Sequence, residues 1–393
     1  MTEYVRLGDV ATINPPKKEV ANLDDDTIVG FLPMDAVSND GAIERIDTRK
    51  YAEVKKGFVY FRDGDVLFAK ITPCMENGKG AVVSGMPDGI GFGSTEFHVV
   101  RPNEEIIYGQ YIHYFLKNPA LRKVLENEMT GSAGQKRVSK DTLKELAFPL
   151  PPLEEQKRIA AALDKMSSVI AKRKRQIALL DEAAKSLFVE MFGDPVENPM
   201  GWEEVPLSNT ILSANNGMSR RGNNADGNIV LRLVELQEGF IDYKSPNRIK
   251  LTDSEKKKCL LNKDDVLFAR VNGNPAYVGR CAVFKPINEP VYHNDHIIRI
   301  CFNETMVNST YISMYMNGNG GRLQLKDKVK TSAGQYTINQ KDIGCSQIPL
   351  PPIELQNLFA ARIEALEAQR ASCERGLKQM ETAFAAMMQE YFE

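Results

Sequence analysis

Cysteine is sparse and scattered in this chain: six residues, Cys74, Cys259, Cys281, Cys301, Cys345 and Cys373, with no C-x-x-C pair. That spacing suggests neither a thiolate zinc site nor a disulfide framework, and the cysteines read as reduced, mostly structural thiols. There are only four histidines and no H-E-x-x-H; His293 and His296, with Asp295 between, read as strand or loop residues, and no metal site is expected. Neither G-x-x-x-x-G-K-[ST] nor G-x-G-x-x-G occurs, so nucleotide hydrolysis and dinucleotide chemistry have no motif to stand on. Every long apolar run is broken by a charge, and Met1-Thr2-Glu3-Tyr4 lacks the basic, then apolar, character of a secretory signal, so a cytoplasmic protein is expected. No sign of charge dominates either. With 50 Lys+Arg against 52 Asp+Glu and a pI near 6.2, the chain lacks the basic excess usual in a stand-alone DNA binder.

What is present is written twice. At 393 residues the chain is long enough for two or three compact units, and a search for self-similarity finds one offset, about 200 residues. Asp65-Val66-Leu67-Phe68-Ala69-Lys70 returns as Asp265-Val266-Leu267-Phe268-Ala269-Arg270, and Ser132-Ala133-Gly134-Gln135 returns unchanged as Ser332-Ala333-Gly334-Gln335. Pro149-Leu150-Pro151-Pro152-Leu153-Glu154 returns as Pro349-Leu350-Pro351-Pro352-Ile353-Glu354, followed in both copies by a glutamine, Gln156 and Gln356. A unit of that size is a duplicated domain rather than a solenoid repeat.

Each copy has two textures. Residues 1–150 and 195–350 mix short β-rich runs with Gly, Asn and Asp turns and helical pieces such as Tyr108 to Leu125, the pattern of α/β units. After each Pro-Leu-Pro-Pro comes a proline-free stretch of good helix formers, within 151–194 and 351–393; Gly193 and Pro195 stop the first. A seam that is apolar except for one arginine keeps a 4,3 spacing: Ile159, Leu163, Met166, Ile170, Arg173, Ile177, Leu180, Ala184, Leu187 and Met191. The second copy keeps the phase with Phe359, Ile363, Leu366, Arg370, Cys373, Leu377, Met380, Phe384, Met387 and Tyr391. Such a/d seams predict an intramolecular coiled coil of two helices, each roughly 57 Å long. The fold class is therefore α+β: two tandem α/β domains, each followed by a long helix.

Catalytic constellations are weak. Asn14-Pro15-Pro16-Lys17 has the start of an amino-methyltransferase motif, but lysine replaces the aromatic residue that would stack on a flipped base, so a turn-forming loop is the better reading. Asp63, Asp65, Asp264 and Asp265 read as turn residues flanking the repeated strand. Basic residues cluster at Lys136-Arg137 with Lys140, at Lys172 to Arg175, at Arg220-Arg221 and at Lys256 to Lys258. A basic run is often only a solvated face, yet beside a glycine turn, as at Gly134-Gln135-Lys136-Arg137, backbone N–H groups and side chains converge on one anion.

Taken together, Ser-Ala-Gly-Gln, Pro-Leu-Pro-Pro-(Leu/Ile)-Glu and the heptad helix, each present twice, resemble the specificity subunit of Type I restriction-modification enzymes, the HsdS family. The resemblance covers essentially the whole chain. It implies two target recognition domains on double-stranded DNA and two helices pairing antiparallel with pseudo-two-fold symmetry. It also implies docking of two methyltransferase subunits, with restriction endonuclease and translocase subunits joining in phage defence. By that resemblance this chain is not itself an enzyme and binds no cofactor: S-adenosylmethionine belongs to the methyltransferase, ATP and Mg to the restriction subunit. A duplicated coiled-coil adaptor without DNA binding is the alternative, and a self-sufficient nucleic-acid enzyme a more distant one.

The copies diverge between their shared segments, notably over 71–130 against 271–330, so the two domains are expected to read different half-sites. Amide and cationic side chains suit the major groove. The expected DNA-binding residues are Lys70, Thr72, Asn77, Lys79, Gly134, Gln135, Lys136 and Arg137 in the first domain. In the second they are Arg220, Arg221, Arg270, Asn272, Asn274, Gly334, Gln335 and Tyr336. The repeated Gly-Gln is equally open to being a turn that buttresses the scaffold.

Overall fold

A computed structural model describes residues 3–132, 134–332 and 334–392. The central strand of each copy is the repeated Val-Leu-Phe-Ala run. Val66–Ala69 is buried along its whole length, and so is Val266–Ala269. Side chains alternate across a strand, so Val66 and Phe68 join one core with the helices while Leu67 and Ala69 join another with the second sheet. Val266 and Phe268 separate from Leu267 and Ala269 in the same way. A strand covered on both faces needs a continuous apolar run, which is why this segment is so alike in the two copies.

Around it the topology repeats. The first copy has an antiparallel sheet in the order Ala11–Ile13, Phe97–Pro102, Val66–Ala69, Gly80–Val82, and the second has Ile211–Asn216, Ile297–Phe302, Val266–Ala269, Cys281–Val283. A second sheet packs beside each. In the first copy its order is Asp47–Lys50, Ile28–Leu32, Ile90–Gly93, Val59–Arg62, with one parallel pair at its centre. The second copy keeps the parallel pair, Asn228–Leu231 with Val291–His293, but reduces the fourth strand to a bridge between Leu260 and Tyr292. The helical piece expected from Tyr108 to Leu125 is two helices, Gly109–Lys117 and Pro119–Glu128. Asn118 breaks it by turning its carboxamide onto the Ala120 N–H, and Pro119 starts the next helix.

The two Pro-Leu-Pro-Pro segments do lead into long helices, Leu153–Phe192 and Ile353–Phe392, each of 40 residues and so about 60 Å. The second runs unbroken through Gly376. At the start of each helix a fully buried glutamine acts as a clasp. Gln156 donates to the carbonyls of Ile106 and Pro151 (3.0 and 2.9 Å) and accepts from the Tyr108 N–H (2.9 Å). Gln356 repeats this with Met306, Pro351 and the Asn308 N–H (3.3, 2.7 and 2.9 Å).

The chain divides into two compact units, each holding part of both helices: residues 1–175 with 374–393, and residues 176–373. Within the first, Lys174 pairs with Glu381 at 3.3 Å and Arg158 lies in the field of Glu390 and Tyr391. Within the second, Arg370 pairs with Asp181 at 2.9 Å and Arg362 reaches Met191. Numbers rise on one helix as they fall on the other, so the segments run antiparallel. The seam residues named above are buried or half-buried throughout. The heptad spacing nevertheless misses part of the packing: Phe188 and Phe192, one position beyond Leu187 and Met191, are more buried than the seam residues beside them. Phe188 stacks on Tyr311 with centroids 5.6 Å apart, and Phe392 meets Tyr111 at 5.1 Å. A helix that covers a domain as well as a partner helix needs a wider apolar face than an a/d stripe supplies.

Candidate nucleic-acid interface

Each central strand ends at a basic residue, Lys70 or Arg270, held between two neighbours by its backbone. Lys70 donates its N–H to the Glu96 carbonyl (2.9 Å), and its own carbonyl accepts from Val138 (2.9 Å). Arg270 does the same with His296 (2.8 Å) and Ile338 (2.9 Å). The repeated Gly-Gln sits at the tip of the hairpin that follows. In the first copy Arg137 bridges both Ile71 and Thr130. In the second the bridges lengthen into a ribbon of Val271–Asn272, Gln335–Thr337 and Lys330–Ser332. Gly134 and Gly334 take φ of +81° and +76°, the left-handed region a tight turn requires, and a Cβ at either would meet open space. Both tips are exposed.

The frames match and the side chains on them do not. In the first copy Arg137 grips Glu96 with two hydrogen bonds (2.9 and 2.8 Å), which hold the carboxyl below its ordinary range. Beneath it, buried His98 bonds the Val138 carbonyl through Nε2 (2.9 Å) and contacts the Asn14 carboxamide through Nδ1 (3.0 Å), and burial pushes its pKa down. Asn14, at φ +55°, is a turn residue, as its motif suggested. In the second copy the position of Glu96 is taken by His296. Its Nε2 lies 3.0 Å from Arg221, which also pairs with Asp295 at 2.8 Å, while Arg270 donates to the Asp295 carbonyl at 3.0 Å. An acid stands in one copy where a base stands in the other.

The expected residues are thus partly brought together. Lys70, Thr72, Gln135, Lys136 and Arg137 gather on the first hairpin and strand end, with Gln135 and Lys136 exposed. Arg221, Arg270, Gln335 and Tyr336 gather on the second, as does the backbone of Asn272, whose side chain is engaged within its own loop. Others are engaged elsewhere. Lys79 donates to the Met34 carbonyl (3.0 Å), and Arg220 pairs with Glu255 (2.8 Å), whose carboxyl is pushed down to about 2 chiefly by that hydrogen bond. Asn274 turns its carboxamide oxygen onto the Ala276 N–H (3.0 Å), and Asn272 accepts from the Asn274 N–H (2.9 Å). Asn77 is exposed on the loop before Gly78. Sequence reasoning missed Glu96 and His98, and read Asn14 as a turn residue without its contact to His98; the one available signal was that Glu96 lies 200 residues before His296. Of the histidines weighed as metal ligands, His293 is fully buried with Nδ1 3.0 Å from the Cys259 carbonyl, a structural role.

The chain is thus two copies of one α+β scaffold, each carried on paired helix segments and presenting different polar side chains from one backbone frame. The description Type I restriction modification DNA specificity domain matches residues 2–181 and 220–381, and the chain belongs to that family. The EcoAI specificity subunit of Escherichia coli is 40% identical over 193 residues, which is 49% of this chain and 32% of that protein. The chain therefore spans about a third of that relative's length. The MjaVIII specificity subunit of Methanocaldococcus jannaschii is 22% identical over 380 residues, covering 93% of this chain and 86% of that one. Among solved structures, the S subunit of the Type I restriction-modification system from M. genitalium superposes with a TM-score of 0.57 at 13% identity, covering 100% of this chain and 96% of that one. A chain from a study of complex assembly in the type I R-M system gives 0.55 at 20% identity over 99% and 97%. At such identities the likeness is one of fold. Among the described residues no helix is long and apolar enough to cross a membrane.

Proposed function

We propose that this chain is the DNA sequence-specificity subunit of a Type I restriction-modification complex. Each domain binds one half of an asymmetric, bipartite duplex target, and the paired helices set the gap between the halves. The chain directs adenine methylation and restriction by partners: two methyltransferase subunits using S-adenosylmethionine, and restriction subunits using ATP and Mg. It is a cytoplasmic, non-catalytic subunit that binds no cofactor of its own. The observation that carries this reading is the pair of frame-matched hairpins, where Glu96 with Arg137 in one copy answers to His296 with Arg221 in the other. A shared frame fixes the approach to the backbone of a duplex, and differing side chains on it read different bases. The near-neutral charge is tolerable where partners neutralise much of the phosphate. The test is single-molecule sequencing of chromosomal adenine methylation with and without the gene. Loss of one bipartite asymmetric motif on deletion supports the reading, and an unchanged methylome in a strain that expresses the methyltransferase refutes it.

A further inference from the structure

The loops leaving the two central strands, residues 70–79 and 270–280, carry several of the side chains expected to read bases, yet they differ in sequence and by one residue in length. Both are tied down in one way. Each buries an apolar residue beneath itself, Met75 (0% exposed) or Val278 (2%). The main-chain carbonyl of that residue accepts a hydrogen bond from an arginine: Arg122 for Met75, and Arg322 for Val278 at 3.0 Å. The two arginines are 200 residues apart and stand on equivalent helices, Pro119–Glu128 and Asn319–Lys326. Resting on the DNA-specificity reading proposed above, we infer that Arg122 and Arg322 are positioning residues that hold the two base-reading loops at a set height over the sheet.

A guanidinium aimed at a backbone carbonyl is indifferent to the side chains of the loop it holds. The same grip therefore serves two loops that read different sequences. Its charge is not what packing alone would select. Arg122 is 6% exposed, its guanidinium lies 5.4 Å over the Phe68 ring, and burial pushes its pKa down to about 10. A buried cation carries a desolvation cost that an apolar side chain of similar length avoids, so the presence of Arg122 points to the bond it makes, and Arg322 makes the same bond from a half-buried position. In the second copy Asn317 closes the loop's far end, accepting from the Cys281 N–H (2.9 Å) and donating to the Cys281 carbonyl (2.8 Å). In the first, Thr72 Oγ1 donates to Glu76 (2.8 Å) inside the loop itself.

The test uses the full chain assembled with its methyltransferase and duplex libraries randomised in one half-site at a time. The readout is the ratio of methylation rates on cognate and singly mismatched DNA. For Arg122→Met the ratio is expected to fall at least tenfold in one half-site and to stay at the wild-type value in the other; Arg322→Met gives the mirror result. The untouched half-site controls for folding and assembly. Unchanged ratios in both half-sites, or equal loss in both, overturn the inference. Should Arg122→Met not fold, Arg322→Met, at a half-buried position, decides the matter alone. A wild-type complex without sequence preference would instead overturn the specificity reading itself, and the inference with it.

Discussion

Replacing Gln356 by leucine removes the clasp at the start of the second long helix while leaving a side chain of similar size. Three backbone groups lose their partner: the carbonyls of Met306 and Pro351 and the N–H of Asn308. At about 1 kcal/mol net for each hydrogen bond, the loss is about 3 kcal/mol, more if the orphaned groups stay dry. That is about a hundredfold in the unfolding equilibrium of the unit formed by residues 176–373. The chain supplies its own probe. Trp202 is the only tryptophan, lies in that unit and donates its indole N–H to the Phe192 carbonyl at 3.0 Å, so its fluorescence follows unfolding there. With a denaturant slope of about 2–3 kcal/mol per molar urea, the midpoint falls by about 1–1.5 M. A shift under about 0.3 M would refute the claim that the repeated glutamine holds the helix to its domain.

His293 makes stability depend on pH. Burial pushes its folded pKa down to about 4, whereas in the unfolded chain the ring takes a proton near pH 6.5. Its contribution is thus intact above pH 6.5 and is lost as the pH falls through the window to 4, by about 3 kcal/mol at the foot. His293→Gln should flatten that part of the Trp202 urea midpoint against pH relative to wild type, and an unaltered slope would count against it. Four residues added to each long helix lengthen it by about 6 Å, close to two base pairs. The methylated motif should then keep its half-sites and widen its gap, and an unchanged gap in a folded, assembled variant would sink the ruler. Lys136, exposed beside the first hairpin tip, is expected to meet phosphate. Lys136→Ala should weaken binding uniformly across sequences and lower the salt slope by about 1, whereas a change in base preference would assign it to direct readout.

The local pattern alone determined the duplication, the long helices and the phase of their seam, because heptad spacing and a doubly covered strand are written in consecutive residues: Ile159 to Met191 for one, Val66 to Ala69 for the other. It also located the Gly-Gln turns, since Gly134 and Gly334 adopt a backbone that most other residues resist. What sequence could not decide was where the charged side chains spend themselves. Arg137 looked like a free cation and is held by Glu96; Arg220 and Lys79 looked like readers and are occupied by Glu255 and Met34. Those partners lie between 35 and 45 residues away along the chain, so no periodicity announces them. Likewise Phe188 and Phe192 fall outside the heptad stripe, and the packing of Tyr311 and Phe359 against them explains their burial. Patterns of near neighbours set the scaffold, and hydrogen bonds and packing between distant segments set which residues remain to meet a ligand.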